Sequence, residues 1–445
     1  MIELGLYINF LIKPNPIEPS YVEESKYTVM SLRITFLLFT ILFATSCQTL
    51  LDEPCVERYY IYEPVYQDLE AIRVVTYESS REIEQPGKIY LYGHYLFINE
   101  VNTGIHIIDN SNQSNPVQLG FYNIPGNNDL AIKDNILFAD NYLDVMAIDI
   151  SNMQEPEIID VQEQVYDYPF HVDEVSQQFV VDFQVRDMEF VDCENMSIFE
   201  DFTSFNSSTN LSVASSTGYS TSPNLVGQAG SMARFALKND FLYVVDNTTL
   251  HSIETADADN LSLTSSSNLD WGVETIFPYQ DNLFIGAMTG MHIFSLADPS
   301  SPQFASTYTH FEACDPVVVK DDIAYVTVRS GTRCGDNRSN QLIELNVSDI
   351  YNPILLSTMS MTNPHGLGLL GDNLFICEAQ EGVRVYNRGQ IEDYEESKLA
   401  DILNVHARDI ILLSNETAII MTDTGFSQYD VSDLNNIFEL SNFML

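Results

Sequence analysis

The strongest constraint on this chain is a pattern of short apolar segments that repeats about every 42 residues along most of its length. The segments are rich in β-branched and aromatic side chains and are separated by Asp, Asn, Gly and Pro. Such runs form strands, and such separators form tight turns. The first segment of each copy begins at Tyr95, Ile136, Gln178, Phe241, Leu283, Ile323, Leu374 and Ala418.

The number of strands in each copy indicates the fold. A second apolar segment follows the first, an Asn-Pro or Ser-Pro pair often opens a third, and a further strand precedes each unit. Four strands in about 42 residues, without helices, is the period of a β-propeller blade. We therefore predict an all-β protein with a single β-propeller of eight four-stranded blades across residues 71–445. Seven blades are the alternative, because the copy at Gln178 lacks a clear last strand.

Two further segments bear on how the ring is built. Residues 197–231 are rich in Ser, Thr and Asn and predict a long mobile loop inserted after the third copy. The segment Ala71–Tyr77 reads as a strand that precedes the first copy. We expect it to latch the ring by adding to the last blade.

The beginning of the chain predicts an export signal. Arg33 stands directly before the apolar run Ile34–Phe43, which is shorter than the ~20 residues a membrane-spanning helix needs. Such a run followed by small residues is typical of a secretory signal peptide. Ala44-Thr45-Ser46-Cys47 resembles the lipobox of bacterial lipoproteins, in which the cysteine receives the lipid. The sequence thus predicts lipidation at Cys47.

These features divide the chain before the propeller into three parts. Residues 1–29 do not resemble a leader, and we expect them to be a misassigned extension ahead of a start at Met30. Residues 30–46 are the predicted lipoprotein signal peptide, and residues 47–70 are a predicted tether. The protein would then be anchored to the outer membrane through lipid alone, facing the cell surface or the periplasm.

The net charge and the motifs of the chain exclude several classes of function. The chain has 64 acidic and 19 basic residues, a net charge of −45, which would repel a nucleic-acid backbone. The common catalytic, nucleotide-binding and zinc-binding motifs do not occur, and no cofactor, catalytic residue or metal ligand is predicted, although a structural cation is compatible with the sequence. We therefore favour a non-catalytic scaffold that binds an extracellular protein or glycan. The alternative is a hydrolase or lyase that acts on polysaccharide at the channel mouth.

Two of the six cysteines predict a disulfide bond. Cys314 begins the first strand of the sixth copy, and Cys334 lies in the loop after its second strand. Antiparallel strands return to the edge where they began, so both cysteines belong on one face of the ring. An exported protein meets oxidising surroundings, in which this pair can form a disulfide; two separate thiols are the alternative. Cys193 and Cys377 lie in apolar strands and predict buried thiols.

Polar residues recur where the first strand of each blade begins. In a propeller this strand lines the central channel, so its beginning lies at the channel mouth. A ring of ionisable groups there predicts a ligand or cation site, although solvated turns alone also explain polar residues. The candidates are Asp129, His171, Arg234, Glu274, Asp315, His365 and Arg408.

Several copies resemble the LVIVD-repeat proteins. The similarity is densest in GKIYLYGHYLFINEVNTGIHIIDNSNQSNP (87–116), IPGNNDLAI (124–132), ACDPVVV (313–319) and NPHGLGLLGDNLFICEAQEGVRVY (363–386). Together with the lipobox, the chain resembles the LVIVD-repeat lipoproteins of Bacteroidetes-type bacteria. This resemblance implies a β-propeller at a cell surface and implies no catalytic activity.

Overall fold

The computed structural model describes residues 56–166, 178–192, 228–231, 233–246, 248–269, 272–309, 316–329, 340–388 and 397–444. The chain divides into two compact units, one of residues 1–61 and 186–206 and one of residues 62–185 and 207–445. The second unit contains the blades. The predicted extension, signal peptide and lipidation site at Cys47 lie outside the described residues, as do the predicted disulfide partners Cys314 and Cys334.

Seven four-stranded antiparallel blades follow one another in the described part of the second unit. The elements up to the second blade are β1 (Val56–Asp68), α1 (Leu69–Ile72), β2 (Thr76–Glu78), β3 (Pro86–Tyr92), β4 (Tyr95–Glu100), β5 (Gly104–Asp109), β6 (Val117–Asn123), β7 (Leu130–Lys133), β8 (Ile136–Asp140), β9 (Val145–Asp149) and β10 (Glu157–Gln162). Blades 1 and 2 consist of β3 to β6 and β7 to β10.

The remaining blades occupy the second half of the chain. Blades 3, 4, 5, 6 and 7 consist of β13 to β16, β17 to β20, β21 to β24, β25 to β28 and β29 to β32. The elements are β11 (Gln178–Asp192), β12 (Gln228–Ala229), β13 (Phe235–Lys238), β14 (Phe241–Val245), β15 (Thr249–Glu254), β16 (Ser262–Asn268), β17 (Val273–Tyr279), β18 (Asn282–Ala287), β19 (Gly290–Ser295), β20 (Gln303–Thr309), β21 (Val317–Lys320), β22 (Ile323–Val328), β23 (Gln341–Asn346), β24 (Ile354–Ser360), β25 (Leu367–Leu370), β26 (Asn373–Cys377), β27 (Val383–Asn387), β28 (Lys398–Ile402), β29 (Asp409–Leu412), β30 (Thr417–Thr422), β31 (Gly425–Asp430) and β32 (Phe438–Met444).

The copy at Gln178 does not form a blade, so the seven-blade alternative is correct and the prediction of eight is wrong. Its two apolar segments merge into the single long strand β11, which pairs with β1 in a two-stranded sheet. The five residues between those segments, 183–187, contain no Gly, Asn or Pro. Asp187 is the one turn-forming residue at that point, and the chain continues as one strand.

The predicted latch Ala71–Tyr77 joins the first blade and not the last. Ala71 and Ile72 end helix α1, and β2 then pairs with β6 at the outer edge of blade 1. The Tyr77 hydroxyl donates to the carbonyl of Leu119 over 2.8 Å. Gly120 makes room for this ring, because a Cβ at that position would lie 2.5 Å from it. Because Tyr77 packs on blade 1, the segment predicted as a latch attaches to that blade.

Burial within a blade follows the order of its strands. The second and third strands are covered on both faces, as in β4 and β5, which agrees with their continuous apolar sequence. The fourth strand alternates between partly buried and exposed residues, as in β16. Tyrosine hydroxyls connect blades that follow one another: Tyr122 donates to the carbonyl of Met153 and Tyr243 to that of Pro299, over 2.9 and 3.0 Å. The core therefore consists of the layers between blades.

The ring closes by packing of blade 7 on blade 1. Apolar side chains of the two blades form one buried cluster, in which Ile89 and Ile98 join Ile411 and Phe426. Beside it, the amides of Asn110 and Gln428 exchange two hydrogen bonds of 2.9 and 2.7 Å. Each blade among the described residues is built from consecutive strands, so closure depends on these side chains and not on an exchanged strand.

Candidate functional site at the channel mouth

A short segment of the chain, residues 228–231, lies inside the channel; we call it the plug. Its strand β12 pairs antiparallel with β3, the innermost strand of blade 1. The Gln228 side chain donates to the carbonyl of Leu412 in blade 7, and the Ser231 hydroxyl accepts from the amide of Leu367 in blade 6. These are also innermost strands, so the plug contacts the channel wall at three successive blades, 6, 7 and 1. The predicted loop 197–231 is therefore ordered at its end, and residues 197–227 lie outside the described residues.

The plug leads to the end of the channel where the innermost strands begin. β12 pairs with residues near the end of β3, whereas Ser231 bonds to the first residue of β25. Seven ionisable residues, one from each blade, lie at this end, and we call them the mouth ring. They are Lys88, Asp129, Arg234, Glu274, Arg329, His365 and Arg408.

The first part of the mouth ring is buried and internally bonded. Asp129 is 2% exposed, and one carboxylate oxygen accepts from the backbone N–H of Arg234 over 2.5 Å. Burial raises the pKa of Asp129, although Lys88 and this N–H oppose the shift. Behind it, Asp140 accepts from the backbone amides of Asn128 and Asp129 over 2.7 and 2.9 Å, and burial raises its pKa to about 7. Both carboxyls are therefore biased toward the neutral form.

Lys88 brings a buried cation close to these carboxyls. Burial lowers its pKa to about 8, whereas the charges of Asp129, Asp409 and Glu274 raise it and that of Arg234 lowers it further. These influences place residues of blades 1, 2, 3, 4 and 7 within electrostatic reach of one amino group. The mouth ring is therefore one connected electrostatic system.

The mouth residues of blades 5, 6 and 7 include two arginines. Arg329 follows the last residue of β22, and the charges of Glu274 and Arg408 act on it, while burial lowers its pKa. Arg408 forms an ion pair with Asp423, with 2.6 Å between Nε and Oδ1. His365 is 3% exposed, and burial, with Arg329 and Arg408, lowers its pKa to about 2. The imidazole is therefore neutral at physiological pH.

Five of the seven predicted mouth residues can be located in the structure. Asp129, Arg234, Glu274, His365 and Arg408 lie together at the mouth. The structure places these five residues at the mouth, and their role in binding stays a prediction. The predicted residues His171 and Asp315 lie outside the described residues.

Sequence reasoning missed two cations of the ring. Lys88 stands four residues before the end of its innermost strand, as Asp129 and Arg234 do in theirs, so counting back from the strand end would have found it. Arg329 follows the last residue of a second strand, β22, so no search of first strands detects it. The sequence signal that could have identified Arg329 is an arginine at the end of a strand in a strongly acidic chain.

Other predictions concern cysteines, metals and membranes. Cys377 is a buried free thiol, as predicted, and burial raises its pKa. The part of the chain that the structure describes holds no group of three His, Cys, Asp or Glu side chains arranged for a metal ion. None of its helices is long and apolar enough to span a membrane.

Fold and mouth together define the class of this protein, a seven-bladed β-propeller with an ionisable ring at one end of its channel. The family model of the LVIVD repeat matches residues 86–124, which extend from β3 to the end of β6 in blade 1. The chain thus carries an LVIVD repeat within a β-propeller, and the resemblance of its copies to the LVIVD repeat is confirmed.

Solved structures with a similar fold share little sequence with this chain. The computationally designed Ika8 protein has 10% identity and a TM-score of 0.49, with 82% of this chain and 90% of that chain covered. BamB from Moraxella catarrhalis has 8% identity and a TM-score of 0.45, with 83% and 97% covered. Saccharomyces cerevisiae Sqt1 has 10% identity and a TM-score of 0.46, with 82% and 100% covered. No curated protein sequence matches the chain. At these scores and identities the likenesses carry no argument about function.

Proposed function

We propose that this protein is a non-catalytic, lipid-anchored scaffold of the outer membrane whose propeller binds an extracellular protein or glycan at the channel mouth. The propeller fold and its LVIVD repeat support a binding or scaffold role. The lipid anchor and the location rest on the sequence around Cys47. Since the plug occupies the channel beside blades 6, 7 and 1, we expect the ligand to bind at the mouth.

The observation that carries the proposal is the gathering of cations at the mouth. Four of the 19 basic residues belong to the mouth ring: Lys88, Arg234, Arg329 and Arg408. The rest of the chain is strongly acidic, so the mouth is a local exception in charge. The carboxylates of Glu274, Asp409 and Asp423 also act on these cations, and burial raises the pKa of Asp129 and Asp140, so the mouth combines four cations with two carboxyls of reduced acidity. A local field of this kind attracts and orients a ligand of complementary charge.

The test is capture of a ligand by the full-length protein extracted in detergent. Intact outer membranes and a glycan array supply the candidate ligands, and a variant with Arg329→Gln and Arg408→Gln removes two mouth cations. Arg388→Gln is the matched control, because Arg388 also binds carboxylates, those of Asp321 and Asp372, but in turns far from the mouth. We expect one ligand to bind wild type and the control and to be lost from the double variant. Equal binding by all three proteins, or none by any, would contradict the proposal.

The two carboxyls with a raised pKa favour a second candidate, a polysaccharide hydrolase or lyase. Asp129 and Asp140 are adjacent through the 2.9 Å hydrogen bond, and perturbed carboxyls often mark catalytic sites. However, the same oxygen of Asp140 also accepts from Asn127 and Asn128 of its own blade, an arrangement that stabilises the start of β7. Turnover of an acidic polysaccharide by wild type but not by Asp129→Asn would decide for the enzyme.

A further inference from the structure

Arg329, His365 and Arg408 belong to blades 5, 6 and 7 and are held together by backbone contacts. The Thr327 hydroxyl donates to the carbonyl of His365 over 2.7 Å. The N–H of Gly366 donates to the carbonyl of Arg408 over 3.0 Å. Arg329 follows Thr327 by two residues, just after the end of β22, and its charge acts on His365 of blade 6. Three mouth residues of successive blades thus converge on one place.

His365 presents an unused nitrogen at this place. Its side chain is 97% buried, since only 3% of the residue is exposed, and its Nε2 atom has no hydrogen-bond partner among the described residues. A buried polar atom without a partner costs free energy, so its persistence indicates a role. Since the imidazole stays neutral, it can donate one N–H without adding charge.

The two arginines have donors to spare. Within the described residues, no hydrogen bond or ion pair engages the guanidinium of Arg329, although Glu274 attracts it at longer range. Arg408 uses its Nε atom for Asp423, and its two terminal nitrogens bond to no described residue. Two guanidinium groups that repel each other in a partly buried site are stabilised by an anion between them.

The plug adds a fourth donor beneath them. Ser231 is 2% exposed, and its oxygen accepts from the N–H of Leu367 over 2.9 Å. The hydroxyl proton is not used in that bond, and no described residue accepts it. His365 lies two residues before Leu367, the first residue of β25, so this hydrogen bond brings the Ser231 hydroxyl to the backbone that carries the imidazole.

We propose that Arg329 and Arg408 bind an oxyanion group, a carboxylate, phosphate or sulfate, at the channel mouth. His365 and Ser231 serve as neutral donors to the same group. Guanidinium groups match such anions in geometry and form charge-assisted hydrogen bonds with them. The inference deepens the proposed scaffold function and rests on it, since it names the chemical group by which the ligand is held.

Isothermal titration calorimetry on the full-length protein in detergent tests the inference, with inorganic phosphate, sulfate and glucuronate as separate probes. We expect at least one probe to bind, and the preferred probe identifies the anion class. Arg329→Gln should weaken that binding at least about tenfold, since it removes charge-assisted hydrogen bonds, and His365→Phe should weaken it less. Arg388→Gln should bind as wild type does, since Arg388 pairs with Asp372 away from the mouth.

Binding of none of the three probes by wild type up to tens of millimolar, or unchanged binding by Arg329→Gln, would overturn the inference. Weakening by Arg388→Gln to the same degree would also overturn it, because the effect would then reflect net charge alone. The outcome is separable from that of the scaffold proposal. A protein that captures its macromolecular ligand but no anion refutes this inference alone, whereas one that binds an anion but captures nothing refutes the scaffold.

Discussion

Replacing Gln428 by Leu should destabilise the whole propeller, because this amide joins the last blade to the first. Gln428 is 0% and Asn110 4% exposed, and their amides exchange two hydrogen bonds of 2.9 and 2.7 Å. The Gln428 amide also donates to the carbonyl of Gln113 and to the hydroxyl of Ser441, over 3.1 and 3.2 Å. Leucine keeps the volume and loses all four contacts.

The loss of these contacts sets the expected decrease in the free energy of unfolding. A hydrogen bond contributes about 0.5–1.5 kcal/mol net, and a buried polar group left unpaired costs about 1–3 kcal/mol. Gln428→Leu loses both bonds to Asn110 and leaves the side-chain amide of Asn110 buried without this partner. We therefore expect the free energy of unfolding to fall by about 3–5 kcal/mol. In the double variant with Asn110→Leu no unpaired Asn110 remains, so the two effects should not add, and we expect a coupling of about 2 kcal/mol.

Urea denaturation monitored by circular dichroism measures these free energies. Gln303→Leu is the matched control, because the Gln303 side chain is exposed and, among the described residues, bonds only to Ser301, two residues away. It should change stability by no more than about 0.5 kcal/mol. If Gln428→Leu behaves like this control, or if its effect simply adds to that of Asn110→Leu, the amide pair does not hold the ring closed.

Three shorter predictions follow. Asp140 has a pKa of about 7 in the folded state against 3.8 in a solvated chain, so the unfolded state ionises first as the pH rises. Relative to Asp140→Asn, wild type should therefore lose up to about 4 kcal/mol of its free energy of unfolding between about pH 4 and pH 7. Urea denaturation at each pH measures this loss. Non-reducing peptide mapping of exported protein should recover Cys314 linked to Cys334, and free alkylation of both would contradict the disulfide. Mass spectrometry should find a mature N-terminus at lipidated Cys47, and Cys47→Ser should abolish lipid attachment; an unlipidated chain beginning at Met30 would contradict it.

The architecture of the blade can be predicted from local sequence alone. Strand and turn preferences act between neighbouring residues, so segments such as Tyr95–Glu100 and the turns after them can be read directly. The continuous apolar character of these segments also predicts strands covered on both faces, and packed blades provide that cover. Counting back from strand ends places most of the mouth residues for the same reason. A residue near the beginning of the first strand of a blade therefore lies at the channel mouth.

The number of copies that become blades, the closure of the ring and the contents of the channel depend on contacts between distant parts of the chain. The copy at Gln178 has the apolar pattern of a blade, yet it pairs with β1, more than a hundred residues earlier in the chain. The plug belongs to a segment whose composition predicts a loop, and it becomes ordered because β3 offers it an unpaired edge. Closure joins Asn110 to Gln428 across 318 residues. Each of these outcomes depends on which distant partner is available, and local sequence preferences contain no information about that partner.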